Sequence, residues 1–188
     1  MSSTSSRPSS SIIIPPSFFL LILFFFSCQG GSCQLQLIQE TCNKSASIDP
    51  LLSYDFCVAS LEAVPESYTA DLNGLGIISL KLALLNATHA EHRVVELQAG
   101  KQDLFTKRCL ETCPELYSDA TSSLEDSIKA FSFSSYDDAN AYVSAAMDDC
   151  GTCEDGFKEK EGVVSPMMKE NQDIFQLCAI ALAITRLA

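Results

Sequence analysis

The chain has 188 residues, and its 24 acidic and 12 basic side chains give a formal net charge of −12. Nucleic acids and anionic membranes are disfavoured as partners, because both carry negative charge themselves. A basic protein surface is a suitable partner, and the length is enough for one domain with a hydrophobic core.

The N-terminus has the layout of a secretory signal peptide. An unbroken apolar run, FFLLILFFF at residues 18–26, follows a serine-rich leader whose only charge is Arg7. The run is less than half of the about 20 apolar residues that a membrane span needs. Small residues follow it, and we expect cleavage between Gly30 and Cys33. The sequence therefore predicts a signal peptide at residues 1–32 and a secreted, extracellular protein without membrane association after cleavage.

The mature chain of about 155 residues keeps seven cysteines, or eight if Cys33 is retained. In a secreted chain this number indicates disulfide bonds. The seven are Cys42, Cys57, Cys109, Cys113, Cys150, Cys153 and Cys178. Two sequons, at Asn43 and Asn86, would be glycan acceptors in the same compartment.

Four long segments carry apolar residues at spacings of three and four, which predicts helices. The stripes are Leu75, Ile78, Leu82 and Leu85; Tyr117, Ala120, Leu124 and Phe131; Ala139, Val143, Ala146, Cys150, Cys153 and Phe157; and Ile174, Leu177, Ala181 and Ile184. The second helix is expected to start at Pro114, and the last at Pro166 with Ser165 as its N-cap. We predict an all-α fold, with an up-and-down four-helix bundle over residues 67–188.

A shorter region, residues 33–64, precedes the predicted bundle. Asp49-Pro50 has the form of a cap followed by a helix start, so the region reads as a hairpin of two short helices. Cys42 and Cys57 flank the bend between them. Closing this loop of roughly 16 residues would contribute about 3 kcal/mol in the chain-entropy model.

Cys150 and Cys153 form a C-x-x-C motif, which can be a redox pair, half of a metal site or a structural element. A thioredoxin-like pair lies at a helix N-terminus after a strand. Here both cysteines continue an apolar stripe late in a helix that starts near Tyr136, and no strand precedes it. Zinc would need a second such pair, and the pattern of His89 and His92 is typical of a solvated surface. We predict no metal site.

A structural interpretation follows from antiparallel packing of the segments 114–131 and 136–157. In that register Cys113 faces Cys153. A nested arrangement, Cys109 with Cys153 and Cys113 with Cys150, keeps the register equally well. A bond between Cys109 and Cys150 would have to span several helical turns.

The sequence resembles the plant invertase and pectin methylesterase inhibitor family. The resemblance covers nearly the whole mature chain, and the 40-residue separation of Cys113 from Cys153, with Tyr117 four residues after the former, makes it specific. It is most similar to a subgroup of secreted invertase-inhibitor-like proteins that includes pollen allergens. The matching pieces are ETCNKS and YDFCVASL, TADLNGLGIISLKLA, CPELYSDATSSLEDSI, YVSAAMDDCGTCEDGFKEKEGVVSP and IFQLCAIALAITRL.

The resemblance implies a disulfide-stapled four-helix bundle that carries an N-terminal helical hairpin. The family disulfides fall on Cys42–Cys57 and Cys113–Cys153, and Cys178 is most simply a buried free thiol. Members have no catalytic residues and no cofactor. They bind a secreted carbohydrate-active enzyme, here a pectin methylesterase or an acid invertase, and a one-to-one complex in the cell wall is expected.

The resemblance also implies interface positions. Invertase inhibitors of this kind often carry Pro-Lys-Phe between the two disulfide-linked helices, and the matching positions here are Ser134, Ser135 and Tyr136. Many pectin methylesterase inhibitors have Thr where this chain has Asp148. Both patterns are altered, so the target stays open. An acidic surface could dock a basic enzyme; it comprises Asp137, Asp138, Asp148, Asp149, Glu154 and Asp155.

Other classes of protein fit less well. A lipid-transfer protein would have adjacent cysteines and about half this length. A thiol oxidoreductase would depend on the C-x-x-C motif alone, and a hydrolase would need a clustered nucleophile, base and orienting group. A non-inhibitory secreted helical protein, structural or allergen-like and with another partner, is the alternative.

Overall fold

A computed structural model of the protein describes residues 29–187, with side-chain surroundings from residue 35 onward. The predicted leader, residues 1–32, lies outside the described residues except for the backbone of its last four. The described part is helical, without strands, and none of its helices is long and apolar enough to cross a membrane. The elements are α1 (Gln29–Ile48), α2 (Tyr54–Glu62), a 3₁₀ helix (Pro65–Tyr68), α3 (Leu72–Ala99), α4 (Leu104–Ser132), α5 (Tyr136–Lys158) and α6 (Met168–Thr185).

Helices α3 to α6 form the predicted bundle. Each packs on the next along the chain, and α6 packs back on α3 to close the ring. Short connections make consecutive helices antiparallel. One contiguous cluster of buried apolar side chains fills the interior, and it includes every apolar position predicted on α5. The all-α up-and-down bundle with a disulfide-stapled N-terminal hairpin is confirmed.

The hairpin of α1 and α2 is held by a covalent bond and by a buried glutamine. Cys42 and Cys57 form a disulfide across the bend, with their Cα atoms 5.7 Å apart. Gln176 of α6 is 3% exposed. Its Oε1 accepts the N–H of Ser53 and its Nε2 donates to the carbonyl of Leu51, both at 2.7 Å. The two bonds fasten the bend to the bundle.

Two helices that were expected to start at a proline start later. Pro50 lies in a turn, and α2 begins at Tyr54 because Ser53 is its N-cap. Pro166 lies in a second turn, and α6 begins at Met168, with Ser165 bonded to the turn backbone. Both predicted starts are wrong by a few residues, since proline suits turns as well as first helical positions.

Helix α3 buries a different face from the one that its leucines predict. Leu75 is buried, but Ile78 and Leu82 are only half-buried and Leu85 is 50% exposed. Ile78, Leu82 and Leu85 line a shallow groove beside the 3₁₀ helix. The interior face is formed by mostly small residues, which let α4 and α6 approach closely: Gly76, Ser79, Leu80, Ala83, Ala87, Ala90 and Val94.

Helix α4 starts at Leu104, ten residues before the predicted start at Pro114. Asp103 caps it by accepting the N–H groups of its first turn. Proline has no N–H, so Pro114 leaves the carbonyl of Leu110 without its regular helical donor. Gln98 of α3 supplies the missing donor, with its Nε2 2.7 Å from that carbonyl oxygen. A contact from the neighbouring helix thus lets α4 continue through proline.

Candidate functional site

Helices α4 and α5 form an antiparallel hairpin that carries the predicted interface residues. Near the start of α4, a disulfide joins Cys113 to Cys153 with a Cα–Cα distance of 5.1 Å. Toward the other end, the hydroxyl of Ser127 donates to the carbonyl of Ala139 at 3.1 Å. Closing a loop of this length stabilises the fold by about 4 kcal/mol in the chain-entropy model. The two helices are therefore linked both near their connecting loop and far from it.

The loop between α4 and α5 is a tight helix cap. The backbone N–H of Ser135 donates to the carbonyl of Ala130 at 2.9 Å, and the backbone N–H of Ser134 donates to the carbonyl of Phe131 at 3.0 Å. This pair of bonds is the Schellman arrangement, in which the residue after the cap adopts the left-handed conformation. Ser134 does so with φ 58°, where glycine is usual. The loop is consequently short, hydrogen-bonded and held in one shape.

Phe133 is the most exposed large hydrophobic residue among the described ones, at 83%. It caps α4 and stands beside the exposed residues Ser134 and Ser135. Tyr136, by contrast, is half-buried and packs edge-to-face on Phe131, with ring centroids 5.2 Å apart. Tyr136 stays a predicted interface residue, and the more exposed aromatic of the loop is Phe133, which the sequence analysis did not single out. An aromatic residue flanked by serines in a helix connection was the available signal.

The loop rests on a packed support from three helices. Phe131 is fully buried and lies against Gly76 of α3. A Cβ atom at Gly76 would stand 2.4 Å from the Phe131 ring and 3.2 Å from a methyl group of Ile184 on α6. Only glycine gives the ring this space, and the ring in turn positions Tyr136 at the start of α5.

Asp148 is exposed on α5, but the structure does not bring it to the loop. It lies twelve residues beyond Tyr136, which is about 18 Å along a helix. Its neighbour Asp149 is half-buried, and burial, followed by the negative charges of Asp119 and Asp148, raises the pKa of Asp149. These three aspartates define an acidic face shared by α4 and α5, separate from the loop.

The remaining acidic residues of the predicted surface have different surroundings. Asp137 and Asp138 are exposed in the first turn of α5, where the helix dipole favours negative charge. Asp155 pairs with a lysine one turn further on. Glu154 accepts a bond from Asn171 of α6 at 2.9 Å, so part of its charge faces the helix interface. The predicted surface is thus discontinuous.

The C-x-x-C motif is divided between a disulfide and a thiol. Cys153 is bonded to α4, whereas Cys150 is free and 2% exposed, and burial raises the pKa of its thiol to about 12. Cys178 is also a free thiol, fully buried in α6, and burial raises its pKa. Cys109 is free and half-exposed on α4. The buried thiols of Cys150 and Cys178 are therefore poor nucleophiles, and partial burial also raises the pKa of Cys109.

The two predicted surface histidines, His89 and His92, are exposed on α3. Among the described residues, no group of three His, Cys, Asp or Glu side chains could hold a metal ion. The sequon residue Asn43 is exposed on α1. Asn86 is half-buried, and its amide donates to the carbonyl of Leu82 at 2.8 Å.

Comparison with known proteins gives a consistent picture. A family model described as plant invertase/pectin methylesterase inhibitor matches residues 36–184. A protein of Platanus acerifolia named "Putative invertase inhibitor" is 49% identical over 151 residues, which cover 80% of this chain and 84% of that protein.

Two proteins from Arabidopsis extend the comparison. One, named cell wall / vacuolar inhibitor of fructosidase 2, is 31% identical over 70% of this chain and 74% of its own length. The other is the crystal structure of a mutant pectin methylesterase inhibitor from Arabidopsis. It superposes with a TM-score of 0.63 at 26% identity, covering 71% of this chain and 89% of that one.

Proposed function

The chain belongs to the plant invertase/pectin methylesterase inhibitor family, and from that premise we propose that it is a secreted protein inhibitor of a plant cell-wall carbohydrate-active enzyme. It is an inhibitor and not itself an enzyme, like the proteins it resembles. Its target is an acid invertase or a pectin methylesterase.

The rigidity of the α4–α5 hairpin supports inhibition by docking. A preorganised surface loses little conformational entropy on binding, so more of the contact energy appears as affinity. Here a disulfide closes one end of the hairpin, and a hydrogen-bonded helix cap closes the other. The loop that would enter a substrate cleft is therefore already ordered.

The exposure of Phe133 is the main observation for proposing that this loop docks to the target enzyme. Aromatic residues that fill a partner's pocket are common binding hot spots. The loop is compact enough to enter a cleft, with Ser134 and Ser135 beside the ring and Tyr136 anchoring its base. Loop-led docking fits an invertase target, and the 49% identical relative carries the name "Putative invertase inhibitor".

The acidic face of Asp119, Asp148 and Asp149 favours pectin methylesterase as the second candidate. Helix faces that cover a target's cleft would place Asp148 at the interface, and its negative charge would complement a basic enzyme surface. The raised pKa of Asp149 reflects the crowding of charge on this face. A basic partner would relieve that repulsion.

We place the protein in the extracellular space of the cell wall. The apolar N-terminal run is typical of a signal peptide, and two disulfides suit an oxidising compartment. Asn43 is the better glycan acceptor of the two sequons, because its side chain is exposed. A one-to-one complex is expected, since the described part of the chain presents one such loop.

The test is a paired titration with loop and face variants. Oxidised protein from residue 34 onward is titrated against a plant acid invertase and a plant pectin methylesterase at mildly acidic pH. Phe133→Ala probes the loop, and Asp148→Lys probes the face. Leu104→Ala truncates another strongly exposed apolar residue at the opposite end of α4, and Glu161→Lys makes the same charge change elsewhere, so both serve as matched controls.

For loop-led docking, we expect Phe133→Ala to weaken inhibition of invertase about 10- to 30-fold, the effect of a modest hot spot. For face-led docking, Asp148→Lys should weaken inhibition of pectin methylesterase while Phe133→Ala leaves it intact. Failure of the folded, disulfide-bonded protein to inhibit either enzyme would favour the alternative, a non-inhibitory secreted helical protein with another partner.

A further inference from the structure

Four cysteines share the seam between α4 and α5, and only two of them are bonded. On α4, Cys109 lies one helical turn before Cys113. On α5, Cys150 lies about one turn before Cys153. The Cys113–Cys153 disulfide is therefore flanked on each helix by a free thiol at the next turn.

The thiol of Cys109 is directed toward α5. Its Sγ donates to the carbonyl of Gly156 at 3.3 Å, and the Sγ of Cys113 lies 3.3 Å from the carbonyl oxygen of Cys109. Cys109 and Gly156 are four and three residues from the two bonded cysteines, which is about 4.5–6 Å along each helix. The free thiol and the disulfide thus lie one turn apart on the same seam.

One backbone hydrogen bond of α4 is missing next to the turn that carries Cys109. Pro114 removes the backbone bond to Leu110, and the side chain of Gln98 replaces it. Opening that single side-chain contact frees the turn before Pro114 to unwind. Residues 104–112 can then move relative to the Cys113–Cys153 disulfide while the remainder of α4 keeps its packing.

We propose that Cys109 is an internal exchange thiol for the Cys113–Cys153 disulfide. The thiolate of Cys109 attacks Sγ of Cys153, a Cys109–Cys153 bond forms as the Cys113–Cys153 bond breaks, and Cys113 leaves as a thiolate that takes up a proton. One disulfide is exchanged for another, so no oxidant or reductant is consumed. The result is a second covalent isomer of the bundle.

Two competing exchanges are disfavoured by geometry and burial. A bond between Cys109 and Cys113 would lie within one helix, where Cβ atoms at this spacing are about 5–6 Å apart and a disulfide needs about 3.5–4.5 Å. Cys150 is 2% exposed. Cys109 is the thiol that solvent reaches and that a local opening of α4 can deliver.

The exchange takes place far from the proposed docking loop. Cys113 and Ser132 are 19 residues apart on α4, which is about 29 Å along the helix. The second isomer moves the covalent link toward the start of α4 and leaves the cap at Ser134 and its support unchanged. Its formation can therefore be measured independently of inhibition.

The direct test is a disulfide map of the unmodified oxidised protein. The protein is held in mildly alkaline buffer without any added thiol, quenched with acid, alkylated and digested. Cleavage after Glu111 separates Cys109 from Cys113, so mass spectrometry tells the two linkages apart. We expect on the order of 1–10% of molecules to carry Cys109 linked to Cys153 with Cys113 alkylated, as for a minor state a few kcal/mol above the native one.

Three variants test whether Cys109 is the attacking thiol. Cys109→Ser should abolish the release of Cys113, Cys150→Ser should leave it unchanged, and Pro114→Ala should slow it by restoring the backbone bond to Leu110. Retention of Cys113–Cys153 with Cys109 alkylated in every molecule would overturn the proposal. So would exchange that survives Cys109→Ser or disappears in Cys150→Ser.

Discussion

Replacing Gln98 by alanine should cost about 1 kcal/mol of stability, although the residue is only half-buried. Its amide satisfies the carbonyl of Leu110, a buried residue whose regular helical donor is missing at Pro114. A typical hydrogen bond contributes about 0.5–1.5 kcal/mol net, and an orphaned carbonyl adds a desolvation penalty. For a chain of this length, 1 kcal/mol corresponds to a fall in Tm of about 2–4 °C.

A double-mutant cycle isolates the contact. In a Pro114→Ala background, residue 114 regains an N–H that bonds to Leu110, so Gln98→Ala should cost close to nothing. The coupling energy is then about 1 kcal/mol, within the range measured for contacting residues. Gln102→Ala is the matched control, because that side chain makes only one long bond, 3.3 Å, near the same helix end.

Urea unfolding of the oxidised proteins, followed by far-ultraviolet circular dichroism, provides the measurement, since the chain has no tryptophan. Equal costs of Gln98→Ala in both backgrounds would refute the reasoning, because the glutamine would then be acting through packing alone. A negligible cost in the wild-type background would refute it as well, by showing that water or a rearranged turn satisfies the carbonyl.

Three further substitutions test the loop, its support and the acidic face. Ser134→Gly should raise the urea midpoint by the equivalent of about 0.5–1 kcal/mol, because glycine adopts positive φ without steric cost; no gain would show an unstrained cap. Gly76→Ala should destabilise by about 1–3 kcal/mol in thermal melts, since its Cβ would overlap the ring of Phe131; a neutral result would show that the ring moves aside. The pKa of Asp149 is raised in the folded state above its ordinary value of 3.8. Between pH 3.8 and the raised pKa, the native state therefore binds more protons than the unfolded chain. The contribution of Asp149 to stability consequently rises as the pH falls through this window. Asp149→Asn should therefore stabilise by at most about 0.5 kcal/mol at neutral pH and lose the advantage in acid; an equal gain at both pH values would contradict the charge argument.

Helix content and three of the four bundle stripes could be predicted from the sequence, since every position predicted on α4, α5 and α6 is buried. On α3 the same reasoning selected the wrong face. Leucine and isoleucine surround that helix, and the bundle buries alanines where neighbouring helices come closest. Periodicity cannot tell which of two apolar faces of a helix is buried. The space available between neighbouring helices decides it.

Helix starts were predicted poorly wherever proline was the signal. Pro50 and Pro166 lie in turns, and Pro114 lies inside α4. The last case depends on Gln98, a residue of another helix, which no local pattern reveals. The exposure of Phe133 was not predicted for a related reason: it follows from the residue at which α4 ends, and the cap at Ser134 lacks the glycine that usually marks such an end.

The clamp made by Gln176 also determines when the N-terminal hairpin can finish folding. Ser53 and Leu51 bond to a residue 123 and 125 positions later in the chain. During synthesis, the hairpin leaves the ribosome before the bundle helices and can close its Cys42–Cys57 disulfide without them. It then has no partner for the bend until the last helix has emerged. Fastening of the bend is thus among the final events of folding, and a chain cut before α6 has an oxidised hairpin whose bend lacks this clamp.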